Sequence, residues 1–466
     1  MDLLDKLGGS RQCCKLAAVL RAAMLPVMED VKMDNEQVRW PNSLWAAATP
    51  DGPELPSLVG NVEADVVIIG GGFTGLSTAL HLREAGIDIA VVEAMEPGWG
   101  ASGRNNGQVI PTLSRPDPDD IVRKHGAAGE RFVALLRDSA STLFDLVRRY
   151  QIAAEAEQSG WVQPVHSPGR IKIAERRVRQ WSKLGADVEI LSREQTRTML
   201  GSDAWFGGFW NRTGGHINPL ALARGLARVV LAQGGRIFAR SPVASYERHG
   251  DRWMVKTAQG QISARALIVA TNAYTGEFSK TLSPAIATEV MPVLSWQMAT
   301  QPLSDAARKT IIPGRQSMSD THGELYFARY DARNRLVTGG NVIGLGDKAE
   351  ALRTMVAARL QRLWPEIGEV KFDYVWNGYV GMTTDFLPRI HRLGPNAFGW
   401  TGCNGRAVAL SVALGNELAK AVQGVPEREL ALPFTEPVPI AAHGLMRLVA
   451  PFMLMLYRRR DAKEMV

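Results

Sequence analysis

Six consecutive residues, Gly70-Gly71-Gly72-Phe73-Thr74-Gly75, carry the most specific chemistry in the chain. They contain the spacing G-x-G-x-x-G. Gly70 permits a tight turn out of the apolar run VEADVVII, and Gly72 leaves room for a pyrophosphate against the backbone. Gly75 lets the next helix pack closely on the strand. The run before the glycines reads as a buried strand, and TGLSTALHLREAG, stopped at Gly86, reads as a helix. Its first N–H groups and positive dipole end suit phosphate. IDIAVVEA then gives a second strand ending in Glu93 and Ala94, with Glu93 18 residues past Gly75. A carboxylate there accepts hydrogen bonds from ribose hydroxyls and repels a 2′-phosphate. The segment from Val66 to Glu93 therefore predicts a dinucleotide site.

That pattern serves FAD and NAD alike. Two further segments bear on the choice. Ala101-Ser102-Gly103-Arg104-Asn105-Asn106-Gly107-Gln108 follows the second strand directly. Its composition suits a loop around phosphates, with Arg104 supplying charge and the Asn amides supplying donors. Gly402-Cys403-Asn404-Gly405-Arg406-Ala407-Val408 precedes a helical stretch, VALSVALGNELAKAV. Small residues there let the backbone reach a ligand, and the helix start adds a positive end. An NAD enzyme needs neither segment, and no second nucleotide motif is visible. The isolated readings, a surface loop and an ordinary helix start, stay open on composition alone.

Taken in order, these motifs resemble the FAD-dependent D-amino acid oxidase superfamily, in its gamma-glutamylputrescine oxidase-like branch. Similar stretches are W-x-x-S-x-W at Trp40 to Trp45, the Gly70 motif and the loop Gly98 to Gln108. ATNAYT (Ala270 to Thr275) follows, then Trp376-Asn377-Gly378, Thr384 to Pro388 and Gly402 to Val408. The resemblance spans about residues 36–430. It implies FAD held non-covalently, with Cys403 a buried, unreactive thiol. It places Ala270, Thr271 and Asn272 beside the adenine end or the pyrophosphate, and Val243 against adenine. Gly402, Asn404, Gly405, Arg406, Ala407 and Val408 would face the flavin edge. It also implies oxidation of the C–N bond of an amine or amino acid by hydride transfer to flavin N5. The imine formed then hydrolyses, and electrons pass to oxygen or another acceptor.

Catalytic or substrate-binding candidates are fewer. Tyr326, Phe327 and Arg329 in GELYFARYD offer aromatic stacking and a carboxylate partner. His216 in GGHINPLALA and Trp296 with Gln297 in VLSWQMAT are the others. Each has a plain alternative as a core strand or loop residue. No metal-ligand spacing occurs.

The elements that must position these residues predict an α/β fold. A Rossmann-like FAD-binding domain (61–115, 206–280 and 376–430) interleaves with a mixed-sheet substrate domain (116–205 and 281–375), D-amino acid oxidase-like. Residues 1–60 read as tail and extended leader, and 431–466 as an apolar and basic tail. Phe132, Leu135, Leu136, Leu143 and Leu146 are spaced for one helix face. The net charge of +7 is modest for 466 residues, and basic residues do not interleave with aromatics. That counts against nucleic-acid binding, and so against the alternative of an RNA-modifying or purely structural flavoprotein. Three cysteines, two of them adjacent at 13 and 14, make no disulfide framework and favour a reducing, cytoplasmic setting. Leu16 to Val27 resembles a signal core but is interrupted by Arg21. Leu445 to Tyr457 is nearly all apolar and is followed by Arg458 to Arg460. Too short to span a bilayer, it fits packing on its own domain or on a second subunit, or peripheral membrane contact through 445–460.

Overall fold

The computed structural model describes residues 38–341 and 348–464. The Leu16–Val27 stretch, Cys13 and Cys14 lie outside the described residues. The run VVII is apolar on both faces, as a central parallel strand must be when helices cover both sides of its sheet. It ends β1 (Gly60–Ile69), which pairs in parallel with β2 (Ile89–Val92) and with β11 (Gly260–Val269). Parallel neighbours extend the sheet to β8 (Arg236–Phe238) and β18 (Ala397–Thr401). β17 (Arg389–Gly394) and β19 (Phe434–Thr435) add one edge, and the hairpin β9 (Ser245–His249) with β10 (Arg252–Lys256) joins through β11. The order is β19-β17-β18-β11-β1-β2-β8.

A second sheet of eight strands runs β16-β12-β15-β14-β13-β4-β6-β5. Its members are β4 (Trp161–Pro164), β5 (Val188–Leu191), β6 (Gly208–Asn211), β12 (Met291–Thr300), β13 (Ser317–Ser319), β14 (Phe327–Tyr330), β15 (Leu336–Gly340) and β16 (Phe372–Met382). The longest pairing is β12 against β16, antiparallel, with Trp296 opposite Asn377. A two-stranded ribbon, β3 (Gln108–Val109) with β7 (Gly215–His216), completes the set.

Six helices matter for the site. α1 (Phe73–Glu84) opens at the glycine motif. α2 (Ala127–Arg149), α3 (Pro219–Ala232) and α4 (Lys348–Leu363) follow. α5 (Val408–Val422) and α6 (His443–Glu464) end the described chain. Phe132, Leu136, Leu143 and Leu146 of α2 are buried as the spacing predicts, with Leu135 partly buried beside them. α5 packs directly on α1: Ser77 Oγ donates to Val412 O at 2.8 Å.

Four sequence-based assignments need correction. The 376–430 block was given to the cofactor domain, but all of β16 lies along β12 in the eight-stranded sheet. β6, inside the 206–280 block, pairs with β4 and β5 of that same sheet. A strand's pattern shows that it is half-buried, not which sheet takes it. Conversely α2, placed in the substrate domain, joins the core of α1 and α5. The leader is also more than an extended segment. Ser43 Oγ accepts the Ala46 N–H at 3.0 Å, capping a short helix, Leu44–Ala48, whose Trp45 is fully buried.

Gly415 shows how tight the α1–α5 contact is. A Cβ there would lie 2.5 Å from Ser77 Cβ and 2.8 Å from the Thr78 backbone nitrogen. Helix propensity alone favours Ala over Gly by about 1 kcal/mol. Overpacking of this kind costs about 1–3 kcal/mol. Gly415→Ala should therefore lower stability, read as a lower urea midpoint; a rise would show that the helices separate freely.

Candidate active site

The first turn is built around one carboxylate. Glu93 Oε2 accepts the Gly71 N–H at 2.6 Å and Oε1 accepts the Met95 N–H at 3.0 Å. Burial pushes its carboxyl up, and these backbone bonds pull it back down. Gly70 adopts φ +108°, a region that L side chains avoid, and its Cβ would meet Ala270 O at 3.0 Å. Gly72 caps α1 without a side-chain bond, and the Phe73 N–H is taken by Ser102 Oγ at 3.0 Å. Thr74 Oγ1 is buried with no hydrogen-bond partner among the described residues. Ser241 donates its N–H to Glu93 O at 2.9 Å, so the stretch leading to buried Val243 runs beside Glu93 and half-buried Ala94.

The loop from Gly98 to Gln108 is placed as the sequence predicts, but its side chains act differently. Arg104 was read as charge for a phosphate. Its Nε donates to Trp99 O at 2.7 Å, and its guanidinium lies 4.1 Å over the Trp99 ring. Asn105 was read as a donor to a ligand. Its Nδ2 instead holds Ala101 O and Ser102 O, at 3.1 and 2.9 Å, and its Oδ1 accepts the Gly107 N–H. Asn106 Oδ1 likewise accepts from Gln108 N, and Gln108 Nε2 donates to Met318 O at 3.0 Å. These amides face inward because a tight loop must satisfy its own backbone first. The glycines set its path: a Cβ on Gly103 would meet Gly98 O, and one on Gly107 would meet Ile217 O, both inside contact distance.

Four carbonyls of this loop receive buried donors. Arg104 reaches Trp99 O, and Trp376 Nε1 reaches Arg104 O at 2.7 Å. Trp45 Nε1 reaches Asn105 O at 2.8 Å, and Arg329 Nε reaches Asn106 O at 2.7 Å. Trp45 and Trp376 also meet edge to face at 6.1 Å. Sequence reading quoted both tryptophans as motif landmarks but gave neither a role in the site. The signal available was that both indoles sit in motifs shared with the same family as the loop.

The third and fourth segments close the cradle. Ala270 N–H donates to Ile69 O at 2.9 Å, which sets Ala270–Asn272 beside the glycine turn. Thr271 Oγ1 pairs with Thr275 Oγ1 at 2.7 Å. Asn272, at φ +43°, lies against Gly381 and Cys403, and its Oδ1 is buried with no partner among the described residues. Gly402, Asn404 and Gly405 all take positive φ. Asn404 N–H donates to Gly381 O at 3.0 Å and its Oδ1 accepts from Thr383 N at 2.9 Å. Ala407 caps α5 without a side-chain bond, as Gly72 does at the start of α1, so the first backbone N–H groups of α5 have no capping side chain. Arg406 is turned away: Nη1 donates to Leu113 O at 3.1 Å and the guanidinium stacks over Trp161. Tyr274 was missed as well. Its hydroxyl accepts the Tyr379 N–H at 3.1 Å, and burial pushes its phenol up.

Two catalytic candidates are structural. Arg329 gives Nε to Asn106 O, Nη1 to Tyr330 O and Nη2 to Ile217 O, and it is buried against the Trp45 ring, out of reach of a substrate carboxylate. Burial brings it down to about 10, still a cation at neutral pH. His216 is buried opposite Gln108 in the β3–β7 ribbon, with Nε2 3.1 Å from Arg315 O. Burial first, then Arg329, pushes it well below the usual imidazole range. Tyr326 remains half-buried, stacked on His322 at 4.1 Å with Arg359 4.5 Å over its other face. Phe327, buried, starts β14 and lies close to Gly339. Trp296 is half-buried on β12, and Gln297 Nε2 donates to Ser295 Oγ at 3.0 Å.

A glycine turn closed by Glu93, an interlocked loop and a second helix start over a mixed sheet define a flavoprotein of two interleaved domains. The chain belongs to the family described as DAO, FAD dependent oxidoreductase, which matches residues 65–421. Over 389 residues it is 32% identical to gamma-glutamylputrescine oxidoreductase of Escherichia coli (strain K12), covering 83% of this chain and 90% of that protein. Its fold is similar to that of glycine oxidase from Geobacillus kaustophilus (TM-score 0.66, 19% identity, 78% of this chain and 96% of that one). L-proline dehydrogenase from P. horikoshii is similar to the same degree (TM-score 0.66, 18% identity, 80% and 96%). The chain is an FAD-dependent enzyme.

Two outcomes follow. Cys403 is half-buried, its Sγ 3.2 Å from Gly381 N, and burial pushes the thiol up, away from the reactive thiolate. Acid precipitation should therefore leave all flavin in the supernatant, and Cys403→Ser should keep its flavin; flavin pelleting with the protein would show a thioether. For His216, the fold requires a neutral ring while the unfolded chain protonates it below about 6.5. Its folded pKa is depressed, so stability falls as pH drops through that value. His216→Gln should be less stable than the parent at pH 7.5, with the gap narrowing by up to about 1.4 kcal/mol per pH unit below 6.5. A gap constant with pH in urea titrations would contradict the assignment.

Proposed function

We propose that this enzyme oxidises the C–N bond of an amine or amino acid, giving an imine that water hydrolyses. Glu93, Ala94 and Val243 would hold the adenine end of FAD, Gly70–Gly75 its pyrophosphate and Gly402–Val408 its ring. Bound there, it supplies the two-electron acceptor for a hydride leaving the carbon that carries nitrogen. Two buried, unpartnered oxygens, Thr74 Oγ1 and Asn272 Oδ1, suit such a ligand. The observation that carries the reading is the seam where Asn404 N–H meets Gly381 O. It joins the start of α5 to the end of β16, so the eight-stranded sheet closes over the end of the cradle that α5 points into.

The residues of the chain have a positioning task. The helix start of α5 offers positive potential to a reduced, anionic ring. Gly378 and Gly381 keep side chains out of the seam: a Cβ at Gly378 would press on Arg104 at 3.3 Å, and one at Gly381 would meet Asn272 Oδ1 at 2.5 Å. Tyr274, Tyr379 and Trp99 wall this end and exclude water. With Arg329 committed to carbonyls, a substrate carboxylate or ammonium is recognised elsewhere on the sheet, with half-buried Tyr326 and Trp296 as candidates.

The purified protein should be yellow. Mixed without oxygen with γ-glutamylated diamines, N-methylglycine, glycine, proline and D-amino acids, the flavin band should bleach with at least one. Repeating the reaction in air and measuring peroxide separates direct use of oxygen from use of another acceptor. A flavin that binds but never bleaches with any primary or secondary amine would overturn the reading.

A further inference from the structure

The C-terminal helix α6 has two unlike sides. At about 100° per residue, His443, Tyr457, Arg458, Asp461 and Glu464 fall on one side, and each is tied to the enzyme. His443 Nε2 lies 2.9 Å from Val290 O, and Arg115 donates to the Tyr457 hydroxyl at 2.8 Å. Arg458 makes a two-pronged pair with Glu324 at 2.6 and 2.9 Å. Asp461 accepts the Gly323 N–H at 2.7 Å, and Glu464 pairs with Arg170 through both oxygens at 2.7 and 2.9 Å. Both carboxylates of the helix are thus turned inward.

The opposite side has no such partner among the described residues. Leu445 and Leu456, eleven residues apart, fall within about 20° of each other on a regular helix. They are 60% and 58% exposed, and exposed Met455 lies about 80–100° to one side of them. Arg459 and Lys463 share the outward side, and exposed Arg447 stands near the helix start, where Glu277 faces it. Scattered exposed leucines are ordinary. A row of them on a helix pinned in place from behind, flanked by cations and free of outward carboxylates, is not. No described helix is long and apolar enough to cross a membrane.

We infer that α6 lays this face on the surface of an anionic lipid bilayer. The apolar row enters the headgroup boundary, and Arg459 and Lys463 meet lipid phosphates. The contacts to Glu324 and Arg170 hold the helix to the body of the enzyme, so the whole molecule is carried to the surface. This rests on the docking of α6 and is independent of the substrate assignment.

The test is co-sedimentation of the full-length holoenzyme with vesicles of phosphatidylcholine alone or mixed with phosphatidylglycerol. Binding should need the anionic lipid and weaken with salt. Arg459→Glu and Lys463→Glu should each reduce it by about fivefold or more, and Leu445→Glu with Leu456→Glu should abolish it. Flavin content should be unchanged in all three variants, since these exposed side chains belong to α6 and not to the cradle. The inference fails if anionic vesicles do not pellet the protein. It also fails if the leucine variants bind as well as the parent, which would place binding elsewhere in the chain. A dimer in light scattering that the same leucine variants dissociate would assign the face to a second copy instead.

Discussion

Four backbone carbonyls on one loop hold this molecule together. Those of Trp99, Arg104, Asn105 and Asn106 are reached by side chains from the loop itself, from β16, from the leader helix and from β14. A loop with so tight and irregular a path cannot use a regular ladder to satisfy its carbonyls, and burying them bare is costly. Here the donors are two indoles and two guanidiniums, large groups that also fill volume. The loop therefore belongs to both sheets at once. Its position fixes how the eight-stranded sheet sits over the nucleotide cradle.

The same constraint explains what was legible in the sequence. The glycine turn, Glu93 and the strand–helix–strand unit were readable because backbone geometry dictates residue type there: φ +108° at Gly70 allows little else. The loop 101–108 and the start of α5 were located for the same reason. What could not be read was where their side chains point. Arg104, Asn105, Asn106 and Arg406 look like ligand-binding residues in a list. In space they hydrogen-bond backbone groups of this loop and its surroundings.

The substrate side was less readable, for a physical reason. Arg329 and His216 stand out in sequence because they are polar amid apolar neighbours. That pattern marks burial with a partner at least as often as chemistry: Arg329 bonds carbonyls of the loop and its surroundings, and His216 is buried in the β3–β7 ribbon with Nε2 against Arg315 O. The strand register that places Trp296 opposite Asn377 depends on pairing between distant segments, which no local pattern encodes. Trp45 and Trp376 both donate to the loop, yet in sequence they stood only as motif landmarks without a role.

The seam at Gly381 has a further consequence. Asn272, Cys403 and Asn404 converge there from the nucleotide side, and β16 supplies the other wall. A cofactor seated in that seam acts as part of the core of both sheets. Any species that binds the folded chain alone shifts folding by mass action, by about 2.7 kcal/mol at a hundredfold excess over its Kd. Filling the seam and joining the two sheets would then be one event, so the occupied cradle would hold both sheets more firmly than either sheet's own contacts.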